Sequence, residues 1–182
     1  VFYHKSPRNL SITRAKLLIK NRTKKSKIVA LTVNPDDIFL HEIKKYIKPD
    51  YIQLHGEESP KRCENIKDKF NIPLIKGIGI KKNIDLKRHI KTYAEICDIL
   101  ILDAPSEELP GGNGKKFDWK ILKNYKSKKK WMLAGGLNIN NISEAIDITK
   151  PPAIDISSGL ETIKGVKDPQ LIKNFVLKCR NL

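Results

Sequence analysis

Asp103 follows four apolar residues, Ile99 to Leu102, and opens a loop rich in Gly and Pro. A carboxylate at the carboxyl end of an apolar strand is partly desolvated, which can keep it protonated and fit to act as an acid. The same position also suits an aspartate that caps a helix or anchors a loop. Two other stretches, "LAGGLNINN" from Leu133 to Asn141 and "DISSGLE" from Asp155 to Glu161, each run from a strand into small residues. Glycines let the backbone approach an anion closely, and a helix N-terminus aims free N–H groups at it. Barrel enzymes commonly bind phosphate with the loops after their last two strands, so the pair together points to a phosphorylated substrate. Arg8, in the Pro-stiffened "HKSPRNLS", can clamp a substrate carboxylate bidentately or simply lie exposed. His55, in "QLHG", can touch substrate, orient a neighbour or pack. The "GGNG" from Gly111 to Gly114 lacks the spacing of a nucleotide loop and suits a hinged lid over the site, with Lys115 and Lys116 at its base.

These residues need elements to hold them. Apolar runs without alternation suit strands buried on both faces at Ile28–Val33, Tyr51–Leu54, Leu74–Ile80, Ile99–Leu102, Trp131–Ala134 and Ala153–Ile156. Between them lie amphipathic stretches predicted as helices: Ile12–Lys20, Asp37–Lys48, Pro60–Phe70, Leu86–Glu95, Trp119–Tyr125, Ile139–Thr149 and Pro169–Lys178. Asn138 or Asn140 is a candidate cap for the sixth of these, Asp118 for the fifth and Asp168 for the last, which has Pro169 at its first position. Alternating strands and helices imply an α/β fold with a parallel sheet. Polar residues recur at the carboxyl ends of nearly all the strands, the habit of a (β/α)8 TIM barrel rather than of an open sheet with one switch point. Val1 to Tyr3 reads as the end of one more strand, giving about seven. One domain spans 1–182, with the expectation of a barrel truncated by one N-terminal βα unit, on the order of 30 residues.

The formal net charge is +16. Such a charge suits nucleic acid or an anionic surface, but the lysines are spread over nearly every segment and far outnumber arginines, which favours a solvated surface without nucleic-acid binding. It also draws in an anionic small substrate. No apolar run reaches the ~20 residues of a membrane span, so no membrane role is expected. Cys63, Cys97 and Cys179 fit neither a disulfide framework nor a zinc site, and His4, His41, His55 and His89 lack metal-ligand spacing. A cytoplasmic protein is expected.

In order and spacing, "FYHKSPR", "IQLHGEE", "ILDAP…GGNGKKFDW", "LAGGLNINN" and "DISSGLETIKGVKD" resemble the phosphoribosylanthranilate isomerase family over essentially the whole chain. The resemblance implies a cofactor-free, metal-free barrel of tryptophan biosynthesis, monomeric or homodimeric, that isomerises N-(5′-phosphoribosyl)anthranilate by an Amadori rearrangement. It implies that Asp103 is the general acid, that Arg8 holds the anthranilate carboxylate, and that Asp155 contacts substrate or supports the site. Gly136, Leu137, Ser158 and Gly159 match the family's phosphate loops. The family's general base is a cysteine in a Lys-Ile-Cys-Gly-type strand, a motif that none of the three cysteines occupies. The expectation is therefore a chain that carries the acid, lacks the base and is nearly inactive alone. The nearest rival is a sibling barrel such as indole-glycerol-phosphate synthase, which wants a strand-end lysine; Lys76 is the only candidate. A basic nucleic-acid binder is the other.

Overall fold

A computed structural model of the chain describes residues 1–23, 25–80, 83–105 and 117–182, with the side chains of 83–87 and 89 excepted. Five parallel strands pair in strict chain order: β1 (Val29–Thr32), β2 (Tyr51–Leu54), β3 (Leu74–Gly79), β4 (Ile99–Asp103) and β5 (Lys130–Leu133). Single parallel bridges extend the sheet at both sides, Phe2 to Thr32 and Leu133 to Ile154. Seven consecutive parallel positions with no reversal of order are the layout of a (β/α) barrel, since a doubly wound sheet would reverse at its switch point. Helices α1 (Ile12–Lys20), α2 (Asp37–Glu42), α3 (Pro60–Phe70), α4 (Asn83–Ile96), α5 (Ile142–Thr149) and α6 (Pro169–Arg180) complete the α/β alternation. Among the described residues no helix is long and apolar enough to cross a membrane.

Each strand buries two faces, and successive side chains alternate between them. Ile52, Leu54, Leu74, Leu100, Leu102 and Leu133 face outward and pack with Cys63, Ile66, Phe70, Ile142 and Phe175 in the main core. Ile75, Ile101 and Ala134 face inward, joined by Tyr51, Ile99 and Met132, and fill the lumen with apolar atoms. One or two periods further along the same inward rows come Gln53, His55, Gly77 and Asp103. The apolar plug thus closes the amino ends of the strands and leaves their carboxyl ends polar. That is the geometric basis of the site.

Several elements differ from the sequence reading. The helix expected at Trp119–Tyr125 is a single 3-10 turn, Trp119–Leu122; the Asp118 carboxylate takes the Lys120 N–H at 3.0 Å, and Asn124 then adopts a positive φ of 68°. The helix expected from Ile139 begins at Ile142, because Asn138 and Asn141 fold the intervening residues into side-chain-bonded turns. Neither Asn138 nor Asn140 is its cap; Asn141 is. Asp37–Lys48 is α-helical to Glu42 and then widens into a π turn, Ile43–Ile47, that ends at Lys48 with φ 50°. Asp168 caps the last helix as expected, accepting from the Gln170 and Leu171 amides, and Ser11 and Ser59 cap α1 and α3 in the same way. Beyond the last parallel strand position, β6 (Glu161–Ile163) and β7 (Val166–Lys167) form an antiparallel hairpin that apolar patterning does not announce. The proposed lid, Gly111 to Gly114 with Lys115 and Lys116, lies outside the described residues.

One buried ion pair knits two loops to the sheet. Lys76 sits on the outward face of β3, only 3% exposed, and its ammonium donates to Glu58 Oε2 at 2.9 Å and to the Gly56 carbonyl at 2.7 Å. Glu58 in turn accepts the Asn34 and Gly56 amides, so the carboxylate is satisfied from several sides. The Tyr93 ring lies beneath the ammonium at 5.5 Å, adding a cation–π contact. Removing one partner of such a pair strands the other in a dry interior. Lys76→Met should therefore cost about 3–5 kcal/mol of stability, read as a lower urea midpoint with an unchanged slope.

Candidate active site

A cleft of about 470 Å³, partly open to solvent, lies at the carboxyl ends of the strands and is lined by residues from both ends of the chain. Arg8, His55, Asp103 and Asp155, four residues singled out from the sequence, all face it. Tyr3, Ser6, Gln53 and Ser157 line it as well, and patterning alone did not mark any of these four as a site residue. The inward row of each strand explains the convergence: Asp103 ends β4, Gln53 lies in β2, and His55 follows β2 by one residue.

Asp103 is 7% exposed, and both of its oxygens accept hydrogen bonds. Oδ1 takes the Ala104 amide at 2.7 Å and Oδ2 meets His55 Nε2 at 3.2 Å. On the far side of the ring, Gln53 Nε2 lies 3.0 Å from His55 Nδ1. An amide NH2 can only donate, so Nδ1 accepts and Nε2 carries the hydrogen that points at Asp103. Gln53 thus favours the tautomer in which His55 presents its Nε2–H to the carboxylate. Gly77 makes room for this arrangement: a Cβ there would stand 2.5 Å from His55 Nδ1. Desolvation, the argument made for Asp103, acts visibly on its neighbour. Protein atoms crowd the Asp155 carboxyl, and burial first and the Asp103 charge second push its pKa up, against smaller opposing pulls from His55 and Lys167.

Arg8 is already engaged. Its Nε and Nη2 donate to the two oxygens of Glu161, both at 2.7 Å, and the pair is largely buried. Glu161 also accepts Lys167 Nζ at 2.6 Å and the Gly165 amide at 3.0 Å. Sequence reasoning had placed Arg8 alone in its loop; the partner lies 153 residues away on the unannounced hairpin.

Gly136 and Leu137 follow β5, while Ser158 and Gly159 open a 3-10 turn after the last parallel position. These two loops touch: a Cβ on Gly159 would overlap the Leu137 carbonyl oxygen, so only glycine lets them meet. Among the described residues the backbone N–H groups of Gly136, Leu137, Ser158 and Gly159 have no acceptor. Lys76, the strand-end lysine of the rival reading, points outward to Glu58 and does not reach the cavity. Cys63 and Cys97 are buried in the outer core and Cys179 lies on α6, so none of the three lines the cavity.

A sheet of consecutive parallel strands with acid–base side chains gathered at its carboxyl ends defines a (β/α)-barrel enzyme. The family model described as N-(5′phosphoribosyl)anthranilate (PRA) isomerase matches residues 1–178, and the chain belongs to that family. A curated relative, N-(5′-phosphoribosyl)anthranilate isomerase of Chelativorans sp. (strain BNC1), is 42% identical over 183 residues, covering 99% of this chain and 84% of its own. The enzyme of that name from Brucella canis is 43% identical over 178 residues, 96% of this chain and 80% of its own. The crystal structure of phosphoribosyl anthranilate isomerase from Thermotoga maritima superposes with a TM-score of 0.86 at 32% identity, covering 100% of this chain and 86% of that one. A phosphoribosyl anthranilate isomerase solved in complex with reduced 1-(o-carboxyphenylamino)-1-deoxyribulose 5-phosphate gives 0.83 at 31% identity, with 100% and 85% covered.

The Arg8, Lys167 and Gly165 contacts hold the Glu161 carboxyl at a pKa of about 2, against an ordinary 4.5, with the Arg8 bond the largest cause. The ionised form is the one the fold stabilises, so this contribution is complete above about pH 4.5 and is lost as pH falls toward about 2. In Glu161→Gln the stability should start lower and vary less across that window, as followed by urea unfolding at stepped pH.

Proposed function

We propose that the chain acts in tryptophan biosynthesis on N-(5′-phosphoribosyl)anthranilate, converting it to 1-(2-carboxyphenylamino)-1-deoxyribulose 5-phosphate. The observation that carries this reading is the meeting of Asp103, His55, Asp155 and Arg8 on one cavity beside two loops of unpaired amides. The amides of Gly136, Leu137, Ser158 and Gly159 suit the 5′-phosphate, and the +16 chain favours its approach. Arg8 suits the anthranilate carboxylate. With the two ends of the substrate held, the ribose lies between them, over Asp103.

In this reading Asp103 gives a proton to the ribose ring oxygen as the C1′–O bond breaks, which opens the ring to a protonated Schiff base. A base takes the C2′ proton, its electron pair forms the C1′–C2′ double bond of the enolamine, and tautomerisation yields the ketone. His55 donates its Nε2–H to the Asp103 carboxylate that remains, stabilising it after transfer. Burial first and the Asp103 charge second push the Asp155 pKa up, so Asp155 favours keeping its proton in this site. The acceptor of the C2′ proton is not Cys63, Cys97 or Cys179, none of which faces the cavity. The indole-glycerol-phosphate synthase reading fails on Lys76, whose ammonium is consumed by Glu58 outside the site. The reading takes the protein as a monomer or homodimer, and free thiols suit the cytoplasm.

Two measurements test this reading. The chain itself should bind reduced 1-(o-carboxyphenylamino)-1-deoxyribulose 5-phosphate in calorimetry, and Asp103→Asn should leave that affinity within a few-fold. Isomerase turnover is the second measurement; Asp103→Asn should lower it ~10²–10⁴-fold relative to the unsubstituted protein, the usual worth of a general acid. Near-normal turnover would remove Asp103 from the role.

A further inference from the structure

A planar guanidinium has two bidentate edges, and Arg8 uses one of them. Glu161 takes the side edge, Nε and Nη2, at 2.7 Å each. The end edge, the Nη1 hydrogens with the second Nη2 hydrogen, has no acceptor among the described residues. Arg8 meanwhile lines the cavity. The carboxylate that holds it is itself fixed on both oxygens: Oε1 also takes Lys167 Nζ, and Oε2 also takes the Gly165 amide. Lys167 continues the network into the cavity wall, donating to the Ser157 carbonyl at 2.7 Å and to its hydroxyl at 3.1 Å.

A second, steric contact joins the same two segments. Gly165 has a φ of +92° and lies so close to the "HKSPR" loop that a Cβ would stand 2.8 Å from the Pro7 carbonyl oxygen. The hairpin therefore presses on Pro7 and grips Arg8 at once. Two cations share one carboxylate here, leaving the Arg8–Glu161–Lys167 group with one positive charge. A second carboxylate is attracted to it.

We propose that Glu161 is the positioning residue of Arg8: it locks the guanidinium side-on, so that the end edge faces into the cavity, and the β6–β7 hairpin thereby sets selectivity for a ligand bearing an aryl carboxylate. This rests on the reading of Arg8 as the carboxylate site. The physical gain is pre-organisation, since a long side chain already held in one plane loses less freedom when the ligand arrives. The opposite role, in which Glu161 occupies the seat of the ligand's carboxylate and must be displaced, requires the two carboxylates to compete for the same edge.

Calorimetry with two probes separates these. One is reduced 1-(o-carboxyphenylamino)-1-deoxyribulose 5-phosphate; the other is its counterpart built on aniline, which has no carboxylate. Glu161→Gln should weaken the first roughly tenfold or more, the scale of one charge-assisted hydrogen bond, and leave the second nearly unchanged. Equal weakening of both probes would mean a merely structural role, unchanged affinity would mean no role, and tighter binding of the first would mean competition; each overturns the proposal. Arg8→Ala run alongside distinguishes the premise. If Arg8→Ala keeps the preference for the carboxylate probe, the Arg8 reading itself fails; if it loses the preference while Glu161→Gln keeps it, only the positioning role fails. Should Glu161→Gln not fold, Glu161→Asp retains the charge but withdraws the carboxylate by one methylene, and a preference kept in that variant counts against the proposal.

Discussion

The alternation of inward and outward side chains along five parallel strands is the constraint on which everything else depends. A parallel strand buried on both faces has no solvated side on which to hide an error, so each position commits either to the lumen or to the shell of helices. Lys76 and Asp103 show how sharply this decides chemistry. Both are charged residues on neighbouring strands, Lys76 within β3 and Asp103 at the end of β4, and pairing sets Gly79 beside Asp103 and Lys76 beside Leu54 and Leu100. The odd-numbered row of β3 faces the lumen, so Lys76 is carried into the shell and spent on Glu58, while Asp103 stays with the inward row and meets His55. A single-residue slip would exchange their roles.

Buried charge in this chain is satisfied by more than pairing. Glu58 has an ammonium and two backbone amides; Glu161 has a guanidinium, an ammonium and an amide. Desolvating a carboxylate costs several kcal/mol, and a single partner rarely offsets that. Supplying a fan of donors does, and in both cases the donors belong to loops that would otherwise be held only at their ends. The ion pairs thus work as loop anchors: Glu58 gathers the turns after β1 and β2, and Glu161 gathers the loop after the first strand position and the final hairpin. Most of the surplus lysines take no part in this and remain solvated.

What was legible in the sequence follows from range. The five strand positions from Ile28 to Ala134, the caps at Asp118 and Asp168 and the strand-end placement of His55 and Asp103 are local patterns, and they agree with the structure; the strand expected at Ala153–Ile156 is reduced to a single bridge at Ile154, with Asp155 just after it. The short 3-10 turn at Trp119 and the late start of α5 escaped because side chains of Asp118, Asn138 and Asn141 bond nearby amides and compete with the helix. Gln53 was visible only as part of a polar cluster; its relation to His55, two residues on and on the same face, is implied by period 2 and was there to be used. Glu161 was not readable as the partner of Arg8. No spacing rule links residues 153 apart, and only the tertiary fold sets the loop after the first strand position against the final hairpin.

That last case bears on how such a site divides its labour. Asp103 and Gln53 ride on the sheet, where register fixes them to within the tolerance that proton transfer demands. Arg8 rides on a loop, where register offers nothing, and a loop arginine free to sample its rotamers would lose much of its binding strength to ordering. The hairpin supplies the missing constraint from outside the sheet, by a two-point ionic grip and a backbone contact at Pro7. On the proposed reading, chemistry is placed by the strands and recognition by loop-to-loop contacts, so that changes in the hairpin alter which ligand is held without moving Asp103.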